Sequence, residues 1–408
     1  MTPAGLQLLD TAFAVARDGR LLSVHERAPF EVFLPQLAAL EMAAWHVAVP
    51  FYYQPTELAR LLALARAHGV NIAALHDAAS LRVAALDLPN TSLVLELADR
   101  GVAVSEVVAD RNEVRRSRLA LLPDIGHREL RRVWTELVAE AMVLKSRFDP
   151  LHDAASEQRL LAMLPDALRG LGERDQTSIV LPTGRGDDCS VVLSRDQFAT
   201  AAAGIWRQIA LLLRERRAAG TTVNIVLDED TARLPGLREL LTDFVGCRCI
   251  VCPTGLAARR ASLMALPVDS ADGVALLRGH PRAAALESPE ALMLTLPARR
   301  YQRPSHIVWS GGTVALPHGV QLEIGRAVGE KDLRLPEGLA GVSRLHCSIC
   351  ERDESLLVID HSRYGIWLND ERVSRRAALR AGDRLRIGDP GVELNLIAIG
   401  AGDGAPQG

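Results

Sequence analysis

Lysine is nearly missing from this chain. Among 408 residues only Lys145 and Lys331 carry it, and arginine supplies almost all the positive charge. Any lysine-dependent chemistry in the first three hundred residues therefore rests on Lys145. A charge excess is missing too: the formal net charge is −3 with 24% charged residues, which gives no global field for nucleic acid or a membrane surface. Partner choice must come from local sites. No apolar run approaches the roughly 20 residues of a membrane-spanning helix, and the N-terminus lacks the basic start and cleavage pattern of a signal peptide. The expected location is cytoplasmic, with neither nucleic acid nor membrane among the partners. The six cysteines, Cys189, Cys247, Cys249, Cys252, Cys347 and Cys350, are too few and too clustered for a secreted disulfide framework. Free thiols are expected.

What is present alternates strand and helix signals. Leu6 to Arg17 reads as a strand, Asp18-Gly19 as a tight turn into Leu21 to Val24, and Trp45 to Pro50 as another strand. Pro55 to His68 sets Leu58, Leu61, Leu62 and Leu64 on one side of a helix, with Gly69 as its stop. Thr91 to Val108 reads as a hairpin turning at Asp99-Arg100-Gly101. Helical spacing runs from His127 to Arg147 and from Glu157 to Leu171, and a second hairpin flanks the TGRGDD turn, where Arg185-Gly186-Asp187 is expected to be a turn and not an integrin ligand. A helix from Ser194 to Arg217, a strand at Val223 to Leu227, a short helix at Leu237 to Phe244 and a strand at Cys247 to Cys252 follow. Alternation on that last strand sends Cys247 and Cys249 to one face and Cys252 to the other, which argues for buried thiols and against zinc. From about 266 to 304 prolines recur and periodicity fades, as in a connecting segment, with Ala291 to Leu296 the stretch that could pack back. After Ser305 the pattern is all β to about residue 400, and residues 401–408 form a tail.

The chemistry-bearing clusters lie in the all-β part. They are Gly325-Arg326, then Val342 to His346, then Asp360 to Asn369 reading DHSRYGIWLN. Recognition of a phosphorylated side chain needs a planar, permanently charged donor fork with hydroxyl or amide donors beside it. Arg326, Ser343 and Arg344 supply those groups if a rigid scaffold gathers them. These stretches, with Leu379 to Leu385, resemble the forkhead-associated domain, a β-sandwich that binds phosphothreonine in partner proteins. The resemblance implies phosphopeptide contact by Arg326, Ser343, Arg344, Arg363 and Tyr364. Gly325, His346 and Gly365 are then structural residues of the binding loops. The family's usual asparagine before the glycine is Tyr364 here, and the following threonine is Ile366.

The N-terminal part, residues 1–265, resembles the nucleotide-binding domain of the seventy-kilodalton heat-shock chaperones, an α/β actin-like fold. The resemblance rests on Ala48-Val49-Pro50-Phe51 with the helix and Gly69-Val70-Asn71-Ile72 after it. It also rests on Leu193 to Phe198, and on Asn224 to Leu240 reading NIVLDEDTARLPGLREL. Phosphate cradles need glycine-rich turns and a carboxylate for hydrated Mg²⁺. The first turn has Leu8 for the family's aspartate and Asp10 for its glycine. Glu96 to Gly101, with Asp99, stands at the second, and Asp228-Glu229-Asp230 at the third. Acidic side chains there repel a phosphate. The strand at Trp45 follows too soon for the small upper subdomain that normally supplies a catalytic lysine, and Lys145 cannot be matched to it. A pseudo-ATPase is expected, with no catalytic residue, metal or cofactor. A cleft plugged by Phe13 or Arg100 would fit it.

Together the resemblances imply a non-enzymatic, bacterial-type adaptor or scaffold. It would link a protein phosphorylated on threonine, written and erased by a Ser/Thr kinase and phosphatase, to a second protein held by the chaperone-like domain. The alternatives are a divergent ATP-binding ATPase regulated by phosphopeptide, and a phosphate-independent component of an assembly.

Overall fold

The computed structural model describes residues 3–9, 12–26, 30–171, 174–183, 187–216, 223–242, 244, 247–265, 274, 276–294, 303–316, 319, 321–352, 355–369, 371–373, 375–379, 381–388 and 391–398. Asp10, Arg185 and Gly186 lie outside the described residues. The chain divides into two compact units, Met1–Pro297 and Ala298–Gly408.

Unit 1 opens with β1 (Ala4–Leu8), β2 (Ala12–Arg17), β3 (Arg20–Glu26), α1 (Phe30–Ala38), β4 (Trp45–Val49), α2 (Pro55–Ala67), β5 (Ile72–Asp77) and α3 (Ala78–Leu86). The meander β6 (Asn90–Ala98), β7 (Gly101–Ala109), β8 (Glu113–Pro123) follows, then α4 (His127–Ser146) and α5 (Ala154–Gly170). Next come the hairpin β9 (Gln176–Pro182) and β10 (Asp188–Ser194), α6 (Arg195–Ala201), α7 (Ala203–Arg216), β11 (Asn224–Asp228), α8 (Glu229–Arg233), α9 (Leu237–Thr242), β12 (Arg248–Cys252) and α10 (Leu256–Ala261). Two short strands, β13 (Leu276–Leu277) and β14 (Gly279–Pro281), complete it.

Two large sheets repeat one plan. In the first the order is β13-β5-β4-β1-β2-β3; in the second it is β12-β11-β6-β7-β8-β14. Each has an antiparallel meander, β1-β2-β3 or β6-β7-β8, whose first strand pairs in parallel with a later one, β4 or β11, and that one with β5 or β12. Helix α3 lies between the sheets, with Ala79, Val83 and Ala84 packed on Val94, Val107 and Val226 of the second and Leu81 beside Ala48 of the first. All nine of its residues are buried.

Two sequence expectations are corrected here, and a third is extended. Leu6 to Arg17 is two strands, because Leu9 N–H donates to the Ala12 carbonyl and closes a turn between them. The helix after Ser194 breaks at Ala202, which ends α6 with its N–H bonded to Phe198 O while α7 begins at the next residue. In the segment 266–304, Leu292 and Met293 pack back as expected of Ala291 to Leu296, and two further stretches join the sheets. β13 extends the first sheet on β5, β14 extends the second on β8, and Met293 bridges Ile250. Its apolar residues Leu286 and Leu292 pack on the core around Ile250, which explains why periodicity faded: single edge positions, not regular faces, are buried. The cysteines fall as alternation requires, Cys247 and Cys249 against the core of α4 and α7, Cys252 against that of α3, all free.

Unit 2 is all β: β15 (His306–Trp309), β16 (Gly312–Ala315), β17 (Leu322–Gly325), β18 (Leu333–Arg334), β19 (Cys347–Arg352), β20 (Ser355–Asp360), β21 (Ile366–Leu368), β22 (Glu371–Arg372), β23 (Arg376–Ala378), β24 (Arg384–Ile387) and β25 (Val392–Ile397). They form two sheets, β16-β15-β25-β24-β21-β22 and β18-β17-β19-β20-β23. Alternate residues such as Ile307, Leu385 and Leu394 from one sheet and Ile324, Ile349 and Val358 from the other make a single core, the expected result of period-two burial in facing sheets. Among the described residues no helix is long and apolar enough to cross a membrane.

Candidate functional site

The clusters picked out in the sequence meet in the loops of unit 2. Strand β17 ends at Gly325, where an added Cβ would stand 2.0 Å from the Arg344 carbonyl oxygen. Only glycine lets the two loops approach this closely. The approach is fixed by backbone bonds, Arg326 N–H to Ser343 O at 3.1 Å and Ala327 N–H to Arg344 O at 3.0 Å. Ser343 N–H donates to His346 Nδ1 at 3.0 Å, which leaves the ring proton on Nε2, 3.3 Å from the Gly365 carbonyl. His346 is fully buried, and burial lowers its pKa, so it stays neutral as this tautomer requires. The ring therefore ties the Ser343 loop to the Gly365 loop.

The Gly365 loop is held from its other side. The Asp360 carboxylate accepts from the Ser362 N–H at 2.8 Å and hydroxyl at 2.7 Å, and the Ser362 hydroxyl accepts from Gly365 N–H at 2.7 Å. Arg363 N–H reaches the Ser343 hydroxyl at 3.4 Å, and Arg372 donates to the Tyr364 carbonyl at 3.3 Å. Gly365 has φ +94°, a left-handed conformation that other residues adopt only with strain. Ile366 beside it is wholly buried in the sandwich, whereas Tyr364 is 57% exposed. Arg326, Ser343, Arg344, Arg363, Tyr364, Gly325, His346 and Gly365 thus form one connected loop cluster. Arg344 and Arg363 are exposed, and the buried Nε of Arg326 has no hydrogen-bond partner. Among the described residues none of these three arginines is in an ion pair, so their donors are available to a planar or tetrahedral anion.

The family model described as FHA domain matches residues 322–388. All eight residues of the cluster lie inside that span, and the match does not reach unit 1. No curated protein matches the chain. Unit 2 therefore contains a forkhead-associated domain, and domains of this family bind phosphothreonine-containing proteins.

Unit 1 has a cleft of about 320 Å³ where the strands β1, β6 and β11 end, lined by Leu8, Phe51, Arg82, Glu96, Trp134 and Asp228 among others. Leu8, Glu96 and Asp228, read as parts of three separate turns, do converge. Asp99 sits at the β6–β7 turn in an ion pair with Arg131. Asp228 caps α8 through Thr231 N–H at 2.8 Å, and Glu229 holds Thr254 by its hydroxyl at 3.2 Å. Each of these carboxylates is occupied with the protein's own groups.

A buried charge cluster that the sequence did not announce shares two residues, Arg82 and Glu96, with the cleft lining. Arg82 of α3 pairs with Glu96 of β6 at 3.2 Å, and Arg116 of β8 pairs with Asp77 of β5 at 2.8 Å, all four nearly sealed from solvent. The second pair joins the two sheets directly. Asp77 also caps α3 through Ser80 N–H at 2.9 Å. Burial pushes the Glu96 carboxyl up to about 7, against the pull of Arg82. Beside the quartet, His46 Nδ1 and His76 Nε2 are 3.1 Å apart, and the His76 ring lies 5.2 Å from that of His280 on β14. All three are buried, and burial lowers them, His46 and His280 to about 4 and His76 to about 3. Phe13 does not enter the cleft; it stacks on Phe33 in the core of the first sheet, centroids 4.0 Å apart, and Arg100 is not among the lining residues. A signal for Arg82 was present in AASLRVAAL, where one cation on an otherwise apolar helix demands a buried partner. The partner itself was not legible, being fourteen residues away on strand β6.

Proposed function

We propose that the chain is a non-enzymatic adaptor in which the forkhead-associated domain holds a phosphothreonine-bearing protein and unit 1 engages a second protein as a pseudo-ATPase of actin-like fold. The observation that carries it is the loop cluster: three arginines without ion pairs among the described residues, on loops that meet at Ser343 and are set by His346 and Gly325. Arg326 and Ser343 contact the phosphate, Arg344 and Arg363 lie along the peptide, and Tyr364 lines the site. The repeated sheet plan of unit 1, with a helix between the sheets, supports the actin-like reading. A nucleotide does not fit its residues. The turn after β1 begins with Leu8 and Leu9, the β6 end presents buried Glu96, and the β11 end presents Asp228 and Asp230, in place of the glycine-rich turns a phosphate cradle needs, and the arginines of the lining, Arg82, Arg131, Arg169 and Arg233, are each in an ion pair with the protein's own carboxylates. Arg82 and Glu96 of the lining are taken up by pairing with each other.

Titration of the full chain with phosphothreonine peptide pools is expected to give saturable binding that dephosphorylation abolishes and Arg326→Ala reduces at least about tenfold, since a hydrogen bond to a charged group contributes about 1.5–3 kcal/mol. Binding of the unphosphorylated pools with equal strength would sink the phosphate reading.

A further inference from the structure

We propose that the cleft of unit 1 is a binding site for a small organic cation, an amine with an apolar or aromatic body, whose ammonium group is received by Asp228. The cleft lies wholly within unit 1, apart from the phosphopeptide loops.

The walls favour an apolar body. Aromatic residues make up only 4% of the chain, yet Phe51, Tyr52 and Trp134 all line this one cleft. The Phe51 and Tyr52 rings meet edge to face, centroids 5.4 Å apart. The indole N–H of Trp134 is spent on the Phe198 carbonyl at 2.9 Å, so that side chain gives the cleft ring and no donor. Leu8, Leu164 and Leu168 and the prolines after β4 and β12, Pro50 and Pro253, supply further apolar wall. A space of about 320 Å³ with such walls and few polar groups is of the kind that takes a small molecule. The faces of aromatic rings also attract a cation.

The polar groups set the sign of the charge. Each arginine of the lining is answered by a carboxylate: Arg82 by Glu96, Arg131 by Asp99, Arg169 by Asp166 and Arg233 by Asp230. Asp228 is left over. It is in no ion pair among the described residues; one of its oxygens accepts from Thr231 N–H at 2.8 Å, and the other has no hydrogen-bond partner among them. With histidine counted as neutral, the lining and its ion-pair partners therefore hold one carboxylate more than guanidiniums. Glu229, next in sequence, adds another negative charge and is engaged only by Thr254. A second acceptor is unspent as well: Glu96, itself part of the lining, has its Oε2 buried with no hydrogen-bond partner. Burial raises Glu96 to about 7, and a cation arriving beside Asp228 favours its ionised form. Unspent acceptors and a surplus of negative charge inside aromatic and apolar walls match an ammonium on an apolar body and repel an anion.

The test is an NMR titration of the full chain with matched trios that share a ring and differ in the head group: phenethylamine, phenethyl alcohol and phenylacetate, then tryptamine, tryptophol and indoleacetate. The two amines are expected to bind saturably and at least about tenfold more tightly than their alcohols, one charge-assisted contact being worth that factor. The two carboxylates should not bind. Asp228→Asn removes the charge while keeping a side chain that caps α8 equally well, and should abolish most of the preference for the amines at an unchanged unfolding temperature. Phe51→Leu should weaken the amines severalfold, as loss of one ring face predicts. Alcohols or carboxylates that bind as tightly as the amines overturn the proposal, as does amine binding that Asp228→Asn leaves intact or silence of both amines at millimolar concentration. Arg326→Ala is expected to leave the amines bound as before, so failure here and failure of the phosphothreonine reading are told apart.

Discussion

At the scale of single residues, the forkhead-associated site depends on a side chain that need not touch the ligand. His346 satisfies the Ser343 N–H with one nitrogen and the Gly365 carbonyl with the other. His346→Ala leaves both backbone groups unpaired in a buried place, which costs about 1–3 kcal/mol. It should lower the unfolding temperature of unit 2 and weaken phosphopeptide binding together; unchanged affinity would show that the ring does not position the loops. In unit 1 the buried histidines set a pH dependence. Their folded pKa values, about 3 to 4, lie below the unfolded value of 6.5, so between these limits the unfolded chain binds more protons and stability falls as pH drops from 6.5. Glu96 acts in the opposite sense. Raised to about 7 from 4.5, it binds a proton more readily when folded, and its contribution is lost as pH rises through 7. Three groups against one give a net loss of stability on acidification. Chemical denaturation of unit 1 at pH 7 and pH 5 should show it, and His76→Phe, which keeps the ring stack without the charge, should flatten the slope.

At the scale of elements, two close approaches fix the layers. Gly5 of β1 lies under α10, where an added Cβ would be 1.9 Å from the Ala258 carbonyl oxygen and 2.9 Å from the Ser262 nitrogen. Gly5→Ala therefore pushes the helix off the strand, at a cost of about 1–3 kcal/mol, readable as a lower denaturation midpoint for unit 1. The ion-pair quartet fixes α3 against both sheets. Removing one partner, as in Arg82→Met, strands Glu96 and should cost about 3–5 kcal/mol, while Arg82→Met with Glu96→Leu, both apolar, should recover much of that. Simple additivity of the two single changes would mean that the pair is not coupled. Elements of this kind explain which parts of the fold were legible. Helix α2 has its stop glycine and Leu58, Leu61 and Leu62 turned to one side, and the β6–β7 hairpin has plain alternation around Asp99-Arg100-Gly101. By contrast β13 and β14 are two and three residues long and exist only because a sheet edge is there to receive them.

At the scale of the whole molecule, each unit has its own core, so calorimetry should resolve two unfolding transitions. A phosphothreonine peptide is expected to raise only the one belonging to unit 2, by linkage between ligand and folded state. Millimolar ATP with Mg²⁺ should leave the other unmoved; a clear upward shift would revive the ATPase alternative.

The sequence by itself determined the strand-rich C-terminal unit and its loop residues, because glycines, a histidine and arginines at fixed spacings around short alternating strands carry their requirements locally. It also determined that acidic and apolar side chains stand at the ends of β1, β6 and β11. Only the tertiary structure decided that Arg82 meets Glu96, that Arg116 crosses to Asp77, and that His280 comes to lie beside His76. Those pairings join segments between 14 and 204 residues apart, and no local pattern records a partner chosen by how two sheets pack.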